Sequence, residues 1–541
     1  MRWLGLLCVL ISFSCSPSRK DKETRTVFRY NETQGIATLD PAYARRQTLM
    51  WPVYQLYNRL LELDESLHIQ PSLAKKYTVS ANGLLYTFTL RQDVFFHDAP
   101  FFPKGKGRKM VASDVLFSFQ RLLDTRIASP GAWIFNIVDR SVNEQGFKAI
   151  NDSIFEIMLS HPFAAFAGML AMPYCSVIPH EALETYGNDF RNHPIGTGPF
   201  MLKVWREGEK LVLVKNPRYF EHDSAGKPLP YLDAIAITFI NDKQSEFLEF
   251  VKGNLDFLSG VQTAYKDELL TRNGKLSPKY AEKFRMTQNP YLNTEYLGFM
   301  IDSTKLPGNP LLNKKVRLAI NYGFDRVRML KYMRNNIGTP ALEGIIPKGM
   351  PGYTENHEGY AYNPDLSRKL LVEAGYPNGT GLPEISLTTT ADYLDLCEYI
   401  QHELSAICIN LKIEVSQGAT FRGMVANSKV QFFRASWIAD YPDAENYLSL
   451  FYSPNFSPKG PNYTHYKNAR YNALFDQALL EQDEKKRLML YGVLNAMIVS
   501  QAVIVPLYYD KAVRFFPKTI KGFGGNPMNI LTLKRVYKTT P

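Results

Sequence analysis

The residue spacings that would announce catalysis are missing from this chain of 541 residues. His180-Glu181 begins like a zinc-hydrolase helix, but Glu184 stands where the second His of H-E-x-x-H would be. There is no G-x-S-x-G nucleophile turn and no G-x-x-x-x-G-K-[ST] phosphate loop. Gly196-Thr197-Gly198 is followed by Pro199, whose missing amide denies a phosphate its donor. The 9 His are isolated from one another. The five Cys form no C-x-x-C pair and no metal-type spacing. Cys397 and Cys408, eleven residues apart in a helical pattern, would stand about 16 Å apart along the axis, beyond disulfide reach. Cys175, Cys397 and Cys408 are therefore expected as buried free thiols. No catalytic residue, metal site or cofactor is expected, which directs attention to binding rather than turnover.

Hydrophobic residues at 45% and charged residues at 21% are those of a globular protein and exclude a disordered or fibrous chain. The net charge of +11 invites a nucleic-acid reading. A nucleic-acid site gathers its charge in one patch, whereas the densest basic runs here, 104–109 and 534–538, are short. A solvated surface near an anionic membrane accounts for the charge, and no nucleic-acid partner is expected. The 32 Tyr and 33 Phe fit either a binding surface or large aromatic cores.

Met1-Arg2 and an apolar run from Trp3 to Phe13 have the form of an export signal, too short to span a membrane. Ser12-Phe13-Ser14-Cys15 resembles a bacterial lipoprotein cleavage box, with Ser12 at the usual Leu position. Cleavage before Cys15 would make its thiol the lipid attachment point; an ordinary secretory signal is the alternative. Residues 16–26 are polar and charged, as in a flexible tether.

Strands and helices are mixed throughout. The segments 87–90, 210–214 and 235–240 read as strands. Helical spacing runs through 314–333 and 394–407, and through 471–500 with a charged break near 481–487. A further helix begins at Asn363-Pro364, with Pro at the first helical position, and stops at Gly375. Pro/Gly/Asn-rich turns punctuate 193–200, 306–310, 347–352 and 452–461, but none is a long linker. Lobes that share chain crossings suit that pattern better than separate beads.

Seven segments in order resemble the bacterial solute-binding proteins of family 5, which deliver oligopeptides, dipeptides and related solutes to ABC importers. They are Thr38-Leu39-Asp40-Pro41-Ala42-Tyr43; Pro71-Ser72-Leu73-Ala74 through Gly83 and Tyr86-Thr87-Phe88 to Val94-Phe95-Phe96-His97-Asp98; Ala112-Ser113-Asp114-Val115; Pro194-Ile195-Gly196-Thr197-Gly198-Pro199-Phe200; Val316-Arg317-Leu318-Ala319-Ile320-Asn321-Tyr322 with Asp325-Arg326; Tyr362-Asn363-Pro364 with Glu373-Ala374-Gly375-Tyr376; and Trp437-Ile438-Ala439-Asp440-Tyr441-Pro442-Asp443. The resemblance implies an α/β fold of the periplasmic-binding-protein type: two lobes, a hinge, and an extra subdomain inserted in the first lobe. It divides the chain into a signal (1–14), a tether (15–26), lobe I (27–64, 191–288 and 505–541), the insertion (65–190) and lobe II (289–504). It also implies no enzymatic activity, a short peptide as ligand, an ABC permease as partner, membrane anchorage through lipid on Cys15 at the periplasmic or cell-surface side, and a monomer. The same fold carrying a metal chelate, an opine-like amine or a glycan is the alternative.

In peptide-binding members the Asp matching Asp440 pairs with the ligand's α-ammonium, a partner that a buried cation needs. A helix or turn cap is the alternative, since Asp440-Tyr441-Pro442-Asp443 is also a turn sequence. In some relatives an Arg at the offset of Arg434 receives the ligand carboxylate, a task that suits a guanidinium fork; a surface or inter-lobe role is the alternative. Trp437 is a candidate ligand wall or a core residue, and Tyr441 completes the candidate ligand-binding set with its role open. The Gly196–Pro199 turn is expected to be structural.

Overall fold

A computed structural model describes residues 26–540 apart from 143, 263 and 356–358. Cys8, Cys15 and the expected signal lie outside the described residues. In a first sheet Val27–Asn31 pairs in parallel with Ala234–Thr238, which continues antiparallel to Lys210–Lys215 and Phe200–Arg206. Alternation puts Phe28, Tyr30, Leu211, Leu213, Ile235 and Ile237 on one buried face. The helix Gln47–Leu56 covers that face with Trp51, Val53 and Leu56, and the C-terminal segment adds Leu531, Leu533 and Val536.

Between the first two segments of this sheet the chain builds an antiparallel sheet in the order Ala74–Val79, Leu85–Leu90, Ile154–Met158, Phe147–Asn151. The helix Ala112–Leu123 lays Val115, Phe119 and Leu122 on it. Phe119, Phe135, Phe147 and Phe155 contact one another with ring centroids 4.9–6.3 Å apart. Clusters of this kind take up much of the aromatic excess in core rather than in an exposed surface. Asp40 ties this unit to the first lobe: its carboxylate accepts from Ala42 N–H and from both terminal nitrogens of Arg121.

The second lobe is built on a sheet in the order Leu258–Ser259, Ile504–Pro517, Phe284–Phe299, Phe432–Ile438, Ile385–Thr389, Leu411–Val415. Its two central strands have 16 and 14 residues, so the longer spans about 50 Å. Leu297, Phe299, Val505 and Leu507 enter the second-lobe core, Phe284, Val513 and Phe515 a separate cluster with Phe247 and Phe250, and Phe516 the first-lobe core. These antiparallel strands are therefore shared between the lobes. Their ladder slips between Pro290 and Thr294, where Pro lacks the N–H that a regular ladder requires.

The helical pattern 314–333 is two helices, Lys314–Tyr322 and Arg326–Met333, rather than one. Asp325 caps the second by accepting from the N–H groups of Val327 and Arg328. Buried Arg326 donates to the carbonyls of Asn321, Tyr360 and Pro506, which stabilises the break. Arg317 likewise donates to the carbonyls of Gln501 and Ala502 at the end of the helix Glu484–Gln501. The chain does break between Ala469–Leu480 and Glu484–Gln501, and Pro364–Glu373 ends before Gly375 at φ +92°. One thiol departs from expectation. Cys175 and Cys397 are buried, but the helix Leu394–Ser405 ends before Cys408, which turns into a left-handed conformation at φ 65° and is exposed.

Candidate functional site

The strand Phe432–Ile438 carries the predicted residues to the cleft. Residues 293–299 pair with it along one edge. Along the other, Ile385–Thr389 pairs only at Phe432 and Phe433. Beyond Phe433 no described strand pairs with that edge, and a cavity of about 800 Å³ lies beside it, lined by Arg434, Ser436, Trp437, Tyr393 and Phe421 among others. An open strand edge offers main-chain donors and acceptors to an extended ligand, and alternate side chains set what lies against it.

That alternation separates two of the predicted residues. Arg434 stands on the face of Leu297 and Glu295, and Trp437 on the opposite face with Ala435. Arg434 donates to the buried Glu295 carboxylate and lies over the Tyr393 ring. Burial raises the Glu295 acid above its ordinary value, against the pull of Arg434. Asn293 donates to the other Glu295 oxygen at 3.0 Å. Trp437 is half-buried and donates from its indole N–H to Asn446 Oδ1 at 2.8 Å.

Asp440 follows the strand, and its N–H also points to Asn446 Oδ1, at 3.4 Å. The residue is exposed, yet the protein packed around its carboxylate takes away part of its water. That desolvation raises its pKa, Asn446 opposes the rise, and no cation of the described residues pairs with it. Tyr174, buried in the apolar cluster of the inserted unit, feels both Asp440 and Arg45. Burial first and Asp440 second push its hydroxyl up to about 12, with Arg45 opposing.

Tyr441 turns away from the cavity. It is 4% exposed, joins the apolar cluster of the inserted unit, and sets its ring 6.1 Å from that of Trp133. Its hydroxyl donates to Glu445, whose acid burial holds up at about 7. Pro442 packs on Gly168, where a Cβ would lie 3.3 Å from Pro442 Cδ. Asp440 therefore sits at the seam where the second lobe meets the inserted unit. Arg434 and Trp437 line one cavity, Asp440 follows their strand by two residues, and Tyr441 packs into the inserted unit instead.

The Gly196–Pro199 turn is packed tightly against the end of the helix Gln47–Leu56. A Cβ on Gly196 would lie 2.2 Å from Leu56 O, and one on Gly198 2.3 Å from Leu56 C. The Thr197 hydroxyl donates to Asn58 Oδ1 at 3.1 Å. His97 closes the arrangement: its Nε2–H donates to Gly198 O at 3.0 Å and its Nδ1 accepts from Gly196 N–H at 3.3 Å. Those partners require the neutral ring, and burial pushes the imidazole down to about 4.

Glu295, Tyr393, Asn446 and Arg45 were not singled out in the sequence. None of the four has a local signature: Glu295 stands in a strand that also carries Arg285, Gln288, Asn289 and Asn293.

The profile of the bacterial extracellular solute-binding proteins, family 5 (middle region), matches residues 68–459. The chain belongs to this family. Glutathione-binding protein GsiB of Salmonella typhi is 28% identical over 531 residues, covering 96% of each chain. Among solved structures, HbpA2 of Haemophilus parasuis superposes with a TM-score of 0.81 at 24% identity over 95% of this chain and 100% of its own. The periplasmic binding protein DppA of Helicobacter pylori, in complex with peptide STSA, gives 0.75 at 24% over 95% and 98%. The binding protein AgaA, in complex with agropinic acid, gives 0.71 at 22% over 95% and 99%. The two-lobed fold with its insertion is thus shared with proteins of different ligands.

Proposed function

We propose that this family 5 protein captures short peptides in the cleft and presents them to an ABC permease. The observation that carries the reading is the open strand edge from Arg434 to Trp437, ending at the unpaired carboxylate of Asp440. A peptide laid along that edge gains main-chain hydrogen bonds whatever its side chains. Its ammonium meets Asp440, and its carboxylate meets Arg434, which Glu295 and Tyr393 hold in place. Closure of the lobes then removes water from both charge pairs and strengthens them. Glutathione, the ligand named for the GsiB relatives, is itself a tripeptide with an ammonium and carboxylates, so those relatives support the same kind of head-group recognition.

The protein is not an enzyme in this reading. It works as a monomer outside the cytoplasm, exported by the signal at 1–14 and anchored by lipid on Cys15. The lobe boundaries follow the seven-segment division, with the crossings in the strands Phe284–Phe299 and Ile504–Pro517.

Calorimetry with alanine tripeptide and its N-acetylated form tests the assignment of Asp440. Asp440→Asn lowers affinity for the free tripeptide roughly 30-fold or more, as removal of a desolvated charge partner does. The acetylated peptide binds weakly to wild type and no more weakly to the variant. Unchanged affinity in Asp440→Asn removes Asp440 from the site. Native mass spectrometry of co-purified ligand separates a peptide ladder from one non-peptide mass; the latter would favour the opine-like alternative that the agropinic acid complex of AgaA exemplifies.

A further inference from the structure

We infer that the cleft carries a second specificity element, a chamber that takes a cationic side chain of the bound peptide. The inference rests on the peptide reading above and adds a substrate class to it. A cavity of about 850 Å³ lies between the lobes and shares Ala391, Asp392 and Tyr393 with the space beneath Arg434, so it continues the same cleft. The whole chain is net positive, at +11, yet six carboxylates and three basic groups line this chamber. Two of the bases are already engaged, Lys243 with Glu246 at 2.9 Å and Arg334 with Asp510 at 3.3 Å. Four carboxylates then face one remaining amine, Lys511.

Glu32 is the deciding residue. It follows the strand Val27–Asn31, and its main chain is fixed to the next strand by a 2.9 Å bond from its N–H to Thr238 O. The residue is 9% exposed and lines the chamber, and its carboxyl has no hydrogen bond or ion pair among the described residues. A carboxyl held that deep without a partner is costly. Burial holds its acid up at about 7, with Lys243 opposing and Glu246 adding to the rise. An arriving ammonium or guanidinium supplies the missing partner. A metal ion is a poor occupant: no group of three ligating side chains exists among the described residues, and the volume far exceeds an ion. A Lys or Arg side chain, long and apolar along its stem, fits a chamber that also presents Trp51, Phe257 and Val513.

Calorimetry with alanine tetrapeptide, and with the same peptide carrying Lys or Glu at position 2, 3 or 4, decides the matter on the full chain. One Lys peptide binds at least about tenfold tighter than the neutral peptide, as one added charge-assisted contact allows, and its Glu counterpart binds more weakly. Glu32→Gln brings that Lys peptide back to the neutral affinity and leaves the neutral peptide unchanged. Asp392→Asn, at an exposed position on the opposite lobe, lowers the Lys preference a few-fold and decides the case if Glu32→Gln fails to fold. Peptides that bind with no charge preference overturn this inference and leave the peptide function standing. Equal loss for neutral and Lys peptides in Glu32→Gln overturns it as well, by making Glu32 structural. If no peptide binds, both readings fall.

Discussion

Acidification should loosen the joint between the inserted unit and the first lobe, and the reason lies in one histidine. His97 is 2% exposed and uses both ring nitrogens on the Gly196–Pro199 turn, one as donor and one as acceptor. Its pKa in the folded protein is depressed to about 4, from an unfolded value of 6.5. Protons therefore bind the unfolded chain first. The His97 contribution is intact above pH 6.5 and is lost as pH falls from there towards 4. Linkage over that interval gives a loss of about 2 kcal/mol between pH 7 and pH 5 and about 3 kcal/mol by pH 4. His97→Gln keeps a donor for Gly198 O but cannot titrate. Urea unfolding of wild type and His97→Gln at pH 7 and pH 5, followed by circular dichroism, isolates the term, because carboxylates that titrate in both proteins cancel in the double difference. Wild type should lose about 2 kcal/mol more than the variant between the two pH values. A double difference below about 0.5 kcal/mol would refute the assignment of a neutral, doubly bonded ring.

Three further outcomes follow from the packing. Gly198→Ala places a methyl 2.3 Å from the Leu56 carbonyl carbon, a backbone atom that cannot rotate away, and should cost about 1–3 kcal/mol in urea unfolding. Glu295→Gln leaves the Arg434 guanidinium without its anion in a buried setting and should cost about 3–5 kcal/mol, read as a lower urea midpoint at pH 7. Cys408 should be alkylated in the native protein while Cys175 and Cys397 react only after unfolding, which peptide mapping by mass spectrometry will show.

Local chemistry made part of this legible in advance. Asn363-Pro364 and Gly375 bound their helix because Asn accepts from Leu366 N–H and Gly tolerates φ +92°. The break near 481–487 showed as a charged run, and Asp483 does cap the next helix. The pattern 314–333 misled because hydrophobic period does not register a cap: Asp325 accepts locally from Val327 and Arg328 N–H, and Arg326 reaches the Pro506 and Tyr360 carbonyls only in the fold. Cys408 misled for the same reason, since helical spacing ran on past the residue where the chain turns.

At the site, Asp440, Arg434 and Trp437 could be named because their motif stands in one short stretch. Its neighbours could not. Glu295 lies 139 residues from Arg434 in sequence and meets it only through strand pairing. Glu32 and Asp392 share a chamber only because two lobes close over it.

The sequence by itself determined the period-two strands, the capped helices, the seven ordered segments and hence the family, since these depend on neighbours within a turn or a strand. Tertiary structure alone decided which face Trp437 and Arg434 take, that Tyr441 packs into the inserted unit rather than lining the cavity, and that Glu32 stays unpaired. Burial, dielectric and register belong to segments far apart in the chain, and only the fold brings those segments within the few ångströms over which hydrogen bonds and charges act.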